Sequence, residues 1–164
     1  MRNLPFVDKL DEVNRQGFTC VHLALSKVLK DIPSDAQALT PGYAMHLRRI
    51  FEDKRIDVAV LGCYLNPANP NPEKLRGIMD QYKAHIRFAS LLGCGVVGTE
   101  TGAPNEEYKS EPACYSEQAL ELLIKNLRPV VEYAEKAGVI LAIEPVKKHI
   151  VYDAARARSV LDAI

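Results

Sequence analysis

The sequence carries no net charge: its 164 residues hold 21 Lys and Arg against 21 Asp and Glu. Without an excess of positive charge no field is present to hold a phosphate backbone, so nucleic acid is not an expected partner. No window comes near the roughly 18 uncharged apolar residues of a membrane span. The stretch from Met1 to Asp8 lacks the apolar core of a signal peptide. Together these absences point to a cytoplasmic protein that touches no membrane. Cysteine is sparse as well. Cys20, Cys63, Cys94 and Cys114 are scattered with no CxxC spacing, which excludes a disulfide scaffold and a zinc ribbon. Three of the four sit in or beside apolar runs and read as buried, reduced thiols. The Walker pattern GxxxxGK is absent, no Rossmann-type phosphate loop is expected, and a nucleotide cofactor is therefore not expected either. The GxSxG elbow of α/β hydrolases is missing too.

What remains is 48% apolar and 26% charged, the composition of one ordinary soluble domain. Its punctuation repeats: a helical pattern, a glycine, then a short β-rich run. Residues 5–16 place Phe6, Leu10 and Val13 on one helical face, and Gly17 suits the left-handed residue that ends such a helix. Phe18–Leu25 is a first strand. Thr40-Pro41 opens a helix through about Glu52, followed by a second strand over Val58–Leu65, apolar enough to be buried on both faces. Asn71-Pro72 caps a long helix closed by Gly93, and Gly95–Glu100 is the third strand. Thr101 to Cys114, a polar stretch without pattern, reads as a lid or site loop. Ser116 caps a helix over Glu117–Ala137, bent by Pro129 and stopped by Gly138. Val139–Val146 is the fourth strand, and Asp153 caps a last helix to Ile164.

Four strands spaced about 40 residues apart and separated by helices imply parallel β/α units with right-handed crossovers. Periodicity leaves two arrangements open: an open doubly wound sheet, or part of a (β/α)8 barrel, whose complete form takes about 250 residues. In both, chemistry collects at the carboxyl ends of the strands. Those ends are His22 to Ser26, Tyr64 to Asn66, Thr99 to Thr101, and Glu144-Pro145. Glu144 follows the apolar run Val139–Ile143, and a carboxylate leaving a buried strand needs a cation, hydrogen bonds or a raised pKa. An ordinary ion pair with a neighbouring Lys or Arg is the plainer alternative. Glu100, Tyr64 and Asn66 are candidates to bind substrate hydroxyls, although Asn66 before Pro67 also suits a turn. His149 is a candidate proton carrier. His22 points either into the barrel mouth or into the core, depending on register, with the core expected, and His46 and His85 are expected on helix surfaces.

The stretch VILAIEPVKKHIVYDAARARSVLDAI resembles the central segment of the xylose isomerase-like TIM-barrel superfamily of sugar phosphate isomerases and epimerases. GFTCVHLAL, VAVLGCYLNPANP and HIRFASLLGCGVVGTETG resemble its earlier strands. The resemblance implies one partial barrel domain over residues 1–164, corresponding to the second to fifth β/α units. It implies that Glu144 is a ligand of a divalent metal (Mn, Mg, Co or Zn), and that the remaining Asp, His and Glu ligands belong to later strands. It also implies isomerisation or epimerisation of a sugar, possible phosphorylation included, with Glu144 and His149 at the chemistry. Related ketose 3-epimerases carry a second Glu six residues after the ligand; here that position is Ile150, which speaks against a two-glutamate mechanism of that kind. An endonuclease IV-like nuclease from the same superfamily is an alternative, disfavoured by few strand-end histidines and zero net charge. A further alternative is a non-catalytic half-barrel. A half-barrel leaves parallel edges bare, so a homo-oligomer, or pairing with the missing barrel portion, is expected.

Overall fold

Helix starts in this chain are chemically marked. The Thr40 side chain accepts from the Tyr43 amide, Asn71 from Glu73 and Lys74, Ser116 from Ala119, and Asp153 from Arg156. Each satisfies first-turn N–H groups that would otherwise lack a partner. A computed structural model describes residues 4–29 and 32–164. Met1 to Asn3, the start of the segment read for a signal peptide, lie outside the described residues. Among those described, the order is α1 (Phe6–Arg15), β1 (Cys20–Leu23), α2 (Leu25–Val28), α3 (Pro41–Lys54), β2 (Asp57–Gly62), α4 (Pro72–Leu92), β3 (Val96–Glu100), a 3-10 turn (Pro112–Tyr115), α5 (Glu117–Lys136), β4 (Ile140–Glu144) and α6 (Ala154–Ala163). Among the described residues no helix is long and apolar enough to cross a membrane.

The four strands form one parallel sheet in the order β1-β2-β3-β4. Sequential order is the arrangement of a barrel wall; a doubly wound sheet would reverse its winding partway across. The helices pack in the same succession, α1 on α3, α3 on α4, α4 on α5 and α5 on α6, in one layer on one face. Against them lie Leu23, Leu61, Val97 and the hydroxyl-bearing Thr99, all buried. The core continues through Phe51, Tyr82, Ile86 and Phe88.

The opposite, concave face carries no helix layer and is covered only in part: Gly62 and Gly98 are buried, while Val60, Val96 and Ala142 are half-buried. Register puts Val60, Gly62, Val96, Gly98, Ile140 and Ala142 on it, and Ile140 is 66% exposed. The expectation that the second strand is buried on both faces is met only at its carboxyl end, where Leu61 and Gly62 are buried; Asp57 and Ala59 are exposed, and in β4 no residue is fully buried. Apolar composition alone does not distinguish a covered face from one that lacks its cover.

Strand limits are shorter than the apolar runs. Leu25 already begins α2, and Cys63 to Leu65 leave the sheet to turn toward α4. Three cysteines, Cys63, Cys94 and Cys114, are buried and free, while Cys20 in β1 is exposed. Burial pushes the thiols of Cys63 and Cys94 up, which keeps them protonated and unreactive. Residues Gly93 to Gly98 do spell GxGxxG, against the expectation of no Rossmann-type pattern. They run from the end of α4 into β3, however, and a dinucleotide fingerprint must run from strand into helix to aim the helix N-terminus at phosphate.

Candidate active site

The strand ends on the concave face bring together most of the polar residues singled out from the sequence. Glu100 and Glu144 are direct partners in the β3–β4 register, so both side chains leave the sheet on the same side. Glu144 is exposed, and no ion pair with Lys or Arg is found for it among the described residues. The expected emergence from a buried strand does not occur, because the concave face carries no helix layer. Glu100 is half-buried and accepts a hydrogen bond from the Tyr108 hydroxyl at 2.8 Å. Burial first, then the Glu100 carboxylate, raise the Tyr108 pKa far above its ordinary value, which keeps Tyr108 a donor.

His149 approaches the same carboxylate, with Nδ1 3.8 Å from Glu100 Oε2 and its ring 5.2 Å from that of Tyr108. That Nδ1 is buried and has no hydrogen-bond partner. An orphaned ring nitrogen costs stability and is the kind of group that a bound hydroxyl satisfies. The loop presenting His149 is held by backbone bonds from Ile150 to Gly102 and by Val151 N–H to Thr101 Oγ1. Arg156 secures it further. Its guanidinium donates to the carbonyls of Ile150 and Ser116 and to Glu117, and it packs on the Tyr152 ring.

On the other side of the mouth, His22 Nε2 and the Tyr64 hydroxyl share a 2.6 Å hydrogen bond. His22 is exposed on the concave face, not in the core as expected, because β1 contributes it on the parity opposite to Leu23. Gly62 allows the pair to form: a Cβ there would lie 2.7 Å from the Tyr64 ring and 2.9 Å from His22 Nε2. Burial chiefly, then the negative charges of Glu144 and Glu100, raise the Tyr64 pKa. The tyrosine therefore feels both carboxylates.

Asn66 is spent on architecture. It is 5% exposed; its Oδ1 accepts from the amides of Ala68 and Ala103, and its Nδ2 donates to the Asn105 carbonyl. His46 is exposed, as expected, whereas His85 is buried in α4 and its Nδ1–H donates to the Gln81 carbonyl. The polar loop from Thr101 to Cys114 is tied down by Lys74–Glu106 at 2.7 Å and by Asn105 to Glu111 at 2.8 Å. Tyr108 and Arg156 were not singled out from the sequence. A lone tyrosine inside a polar loop was a usable sign of the first; nothing local marked the second. Beside the mouth a cleft of about 650 Å³ runs from Tyr64 and Lys27 to Gln81 and His85; neither Glu100 nor Glu144 lines it.

A divalent ion wants about six oxygen or nitrogen ligands. Among the described residues no group of three or more His, Cys, Asp or Glu side chains is placed to hold one. Glu144 and Glu100 bring two carboxylates to the same side of the sheet, fewer than such an ion requires.

A family model described as xylose isomerase-like TIM barrel matches residues 10–164. No curated protein matches the chain in sequence. Among solved structures it resembles the IolI protein with a bound zinc atom, at 16% identity and a TM-score of 0.75 over 98% of this chain and 54% of that one. It resembles a xylose isomerase-like TIM barrel protein from Mycobacterium smegmatis in complex with magnesium, at 16% identity and 0.68 over 98% and 54%. The apo 3-keto-D-glucoside 4-epimerase YcjR from E. coli aligns at 12% identity and 0.74 over 99% and 61%. The chain thus spans little more than half the length of these proteins, and at such identities the likeness is one of fold.

Proposed function

This chain belongs to the xylose isomerase-like TIM barrel family, and from that premise we propose that it serves a divalent-metal-dependent isomerase or epimerase acting on a sugar or sugar phosphate. One observation carries the proposal: two carboxylates, Glu100 and Glu144, end adjoining parallel strands in register on the concave face. Strand-end groups of a barrel converge on one pocket. Two relatives in fold hold zinc or magnesium, and a third is a sugar epimerase.

In this proposal Glu144, exposed and unpaired with any Lys or Arg among the described residues, is the chain's contribution to the metal. The other ligands lie outside the described residues, so no chemical step is assigned to the ion. The roles left to this chain are binding and orientation. Glu100, held by Tyr108, accepts from a substrate hydroxyl, and Tyr64, held by His22, offers a second polar contact across the mouth. His149 meets a hydroxyl at its orphaned Nδ1 and is placed to hold or release a proton there. Localisation in the cytoplasm is part of the same proposal.

The test is a Mn²⁺ titration followed by electron paramagnetic resonance, beside deuterium incorporation from D2O into a panel of aldoses, ketoses and their phosphates. Metal-dependent exchange that vanishes in Glu144→Gln is the expected result. Exchange that survives in Glu144→Gln at saturating Mn²⁺ removes Glu144 from the ligands, and no metal uptake with no exchange in the parent chain refutes the reading.

A further inference from the structure

The cleft beside the mouth is bounded on both sides by the chain itself. Its floor is the exit of β2 at Cys63 to Leu65, and one wall is α2 with the segment at Ser34 and Asp35. The other wall is one face of α4, where Lys74, Ile78, Gln81 and His85 recur at helical spacing. Gln81 Nε2 donates to the Ser34 carbonyl at 2.6 Å, which ties the two walls together and sets the width between them. The volume, about 650 Å³, falls within the range of small-molecule sites. Gly77 lies on the same wall, and a Cβ there meets nothing within 4 Å. A glycine inside a helix costs stability, and what its missing side chain leaves here is room in the cleft.

Two buried side chains of the lining keep an unused hydrogen-bonding atom. Asn69 is 4% exposed; its Oδ1 accepts from the Asn71 amide, and its Nδ2, a donor, has no partner among the described residues. His85 is 6% exposed; its Nδ1–H donates to the Gln81 carbonyl, which leaves Nε2 an acceptor with no partner among the described residues. Burial favours the neutral imidazole. Buried polar atoms find partners, and in a cleft open to solvent these are water or a ligand that displaces it. The groups present decide between ligands. Lys27, 5.0 Å from the centre of the Tyr64 ring, is a further donor, Lys74 is paired with Glu106, and the Asp35 carboxylate shares the lining. Phosphate brings acceptors only, so it would set lone pairs against His85 Nε2 and negative charge beside Asp35. A neutral polyol brings a donor and an acceptor at every hydroxyl.

We propose that this cleft is the subsite for a second, non-reacting sugar unit, so that the substrate is a neutral disaccharide or other glycoside. The inference rests on the sugar reading above and names its substrate class. Tyr64 joins the two places, since it lines the cleft while its hydroxyl bonds His22 at the strand ends. A unit held at Glu100 and Glu144 extends past Tyr64 into the cleft, and binding of the remote unit orients the reacting one.

The test is nuclear magnetic resonance of the 15N-labelled chain titrated with cellobiose, maltose, lactose, D-glucose, D-galactose, glucose 6-phosphate and inorganic phosphate. At least one disaccharide should shift the Asn69 side-chain amide and the His85 ring, and bind about tenfold tighter than its component monosaccharides. Gly77→Leu, which fills the cleft, should weaken that disaccharide about tenfold and leave monosaccharide binding unchanged. Should that variant fail to fold, Lys27→Met, at an exposed position, should weaken the disaccharide roughly threefold. The shifts should be the same in EDTA as in Mg²⁺, so a chain that takes up no metal refutes the metal reading and leaves the cleft reading standing. Larger shifts of His85 and Asn69 with either phosphate compound than with any disaccharide overturn the proposal. So do equal affinities for disaccharides and monosaccharides, or no shift at those two residues with any disaccharide.

Discussion

At the scale of single residues, the space around a backbone atom decides what the sequence letter means. Gly102 has φ +73°, and a Cβ there would sit 2.3 Å from Asn66 Oδ1, the atom that accepts two loop amides. Gly102→Ala should cost about 2–4 kcal/mol, combining left-handed strain with loss of the Asn66 bonds, and urea unfolding reads this directly. Gly77, in the middle of α4, meets nothing within 4 Å. Gly77→Ala should therefore stabilise by about 0.5–1 kcal/mol in the same assay. Glu144→Gln should shift unfolding by less than about 0.5 kcal/mol, because the carboxylate is exposed; a larger loss would mean that Glu144 supports the fold. The sequence was a good guide to which carboxylates end strands, since a charged letter after an apolar run is a local signal. It was a poor guide to His22 and His85. Their burial depends on strand parity and on which face of α4 meets the sheet, and neither is local.

At the scale of elements, most starts and stops were legible because caps are chemistry between near neighbours. Thr40, Asn71, Ser116 and Asp153 cap the helices they were expected to cap, and Gly93 ends α4 at φ +89°. Asn71→Ala should cost about 1 kcal/mol by removing the acceptor for two amides, and more if the loop bond to Glu106 also matters. Within α4, burial lowers the pKa of His85 below its ordinary value, opposed by the Gln81 carbonyl. The unfolded chain then binds a proton before the folded one as pH falls. Stability is full above about pH 6.5 and declines as pH drops below it toward the lower folded pKa. Denaturation midpoints measured at about pH 7.5 and 5.5 should differ, and His85→Gln should flatten that difference; an unchanged slope would place its origin elsewhere. Strand ends were less legible. Cys63 to Leu65 are as apolar as the strand before them, yet they turn away where Asn66 is anchored to the Asn105 carbonyl and the Pro67 carbonyl accepts from Asn126 of α5.

For the whole molecule, the helices lie in one layer and the other face of the sheet carries none among the described residues. Of the apolar side chains on that face Ile140 is exposed, while Val60 and Val96 are half-buried. A thermal midpoint that rises with protein concentration is expected if that face is covered by association, because binding to the folded form alone stabilises it by mass action. A midpoint independent of concentration would show that the face tolerates water.

The amino-acid sequence by itself determined the alternation of helices and strands, the caps that set it, and the carboxylates left at the strand ends. Each of these follows from contacts within a few residues. Only the tertiary structure decided the winding order, the layer on one side, and the pairing of Glu100 with Glu144. Those depend on which strand lies beside which, and residues some 40 positions apart share no local signal of it.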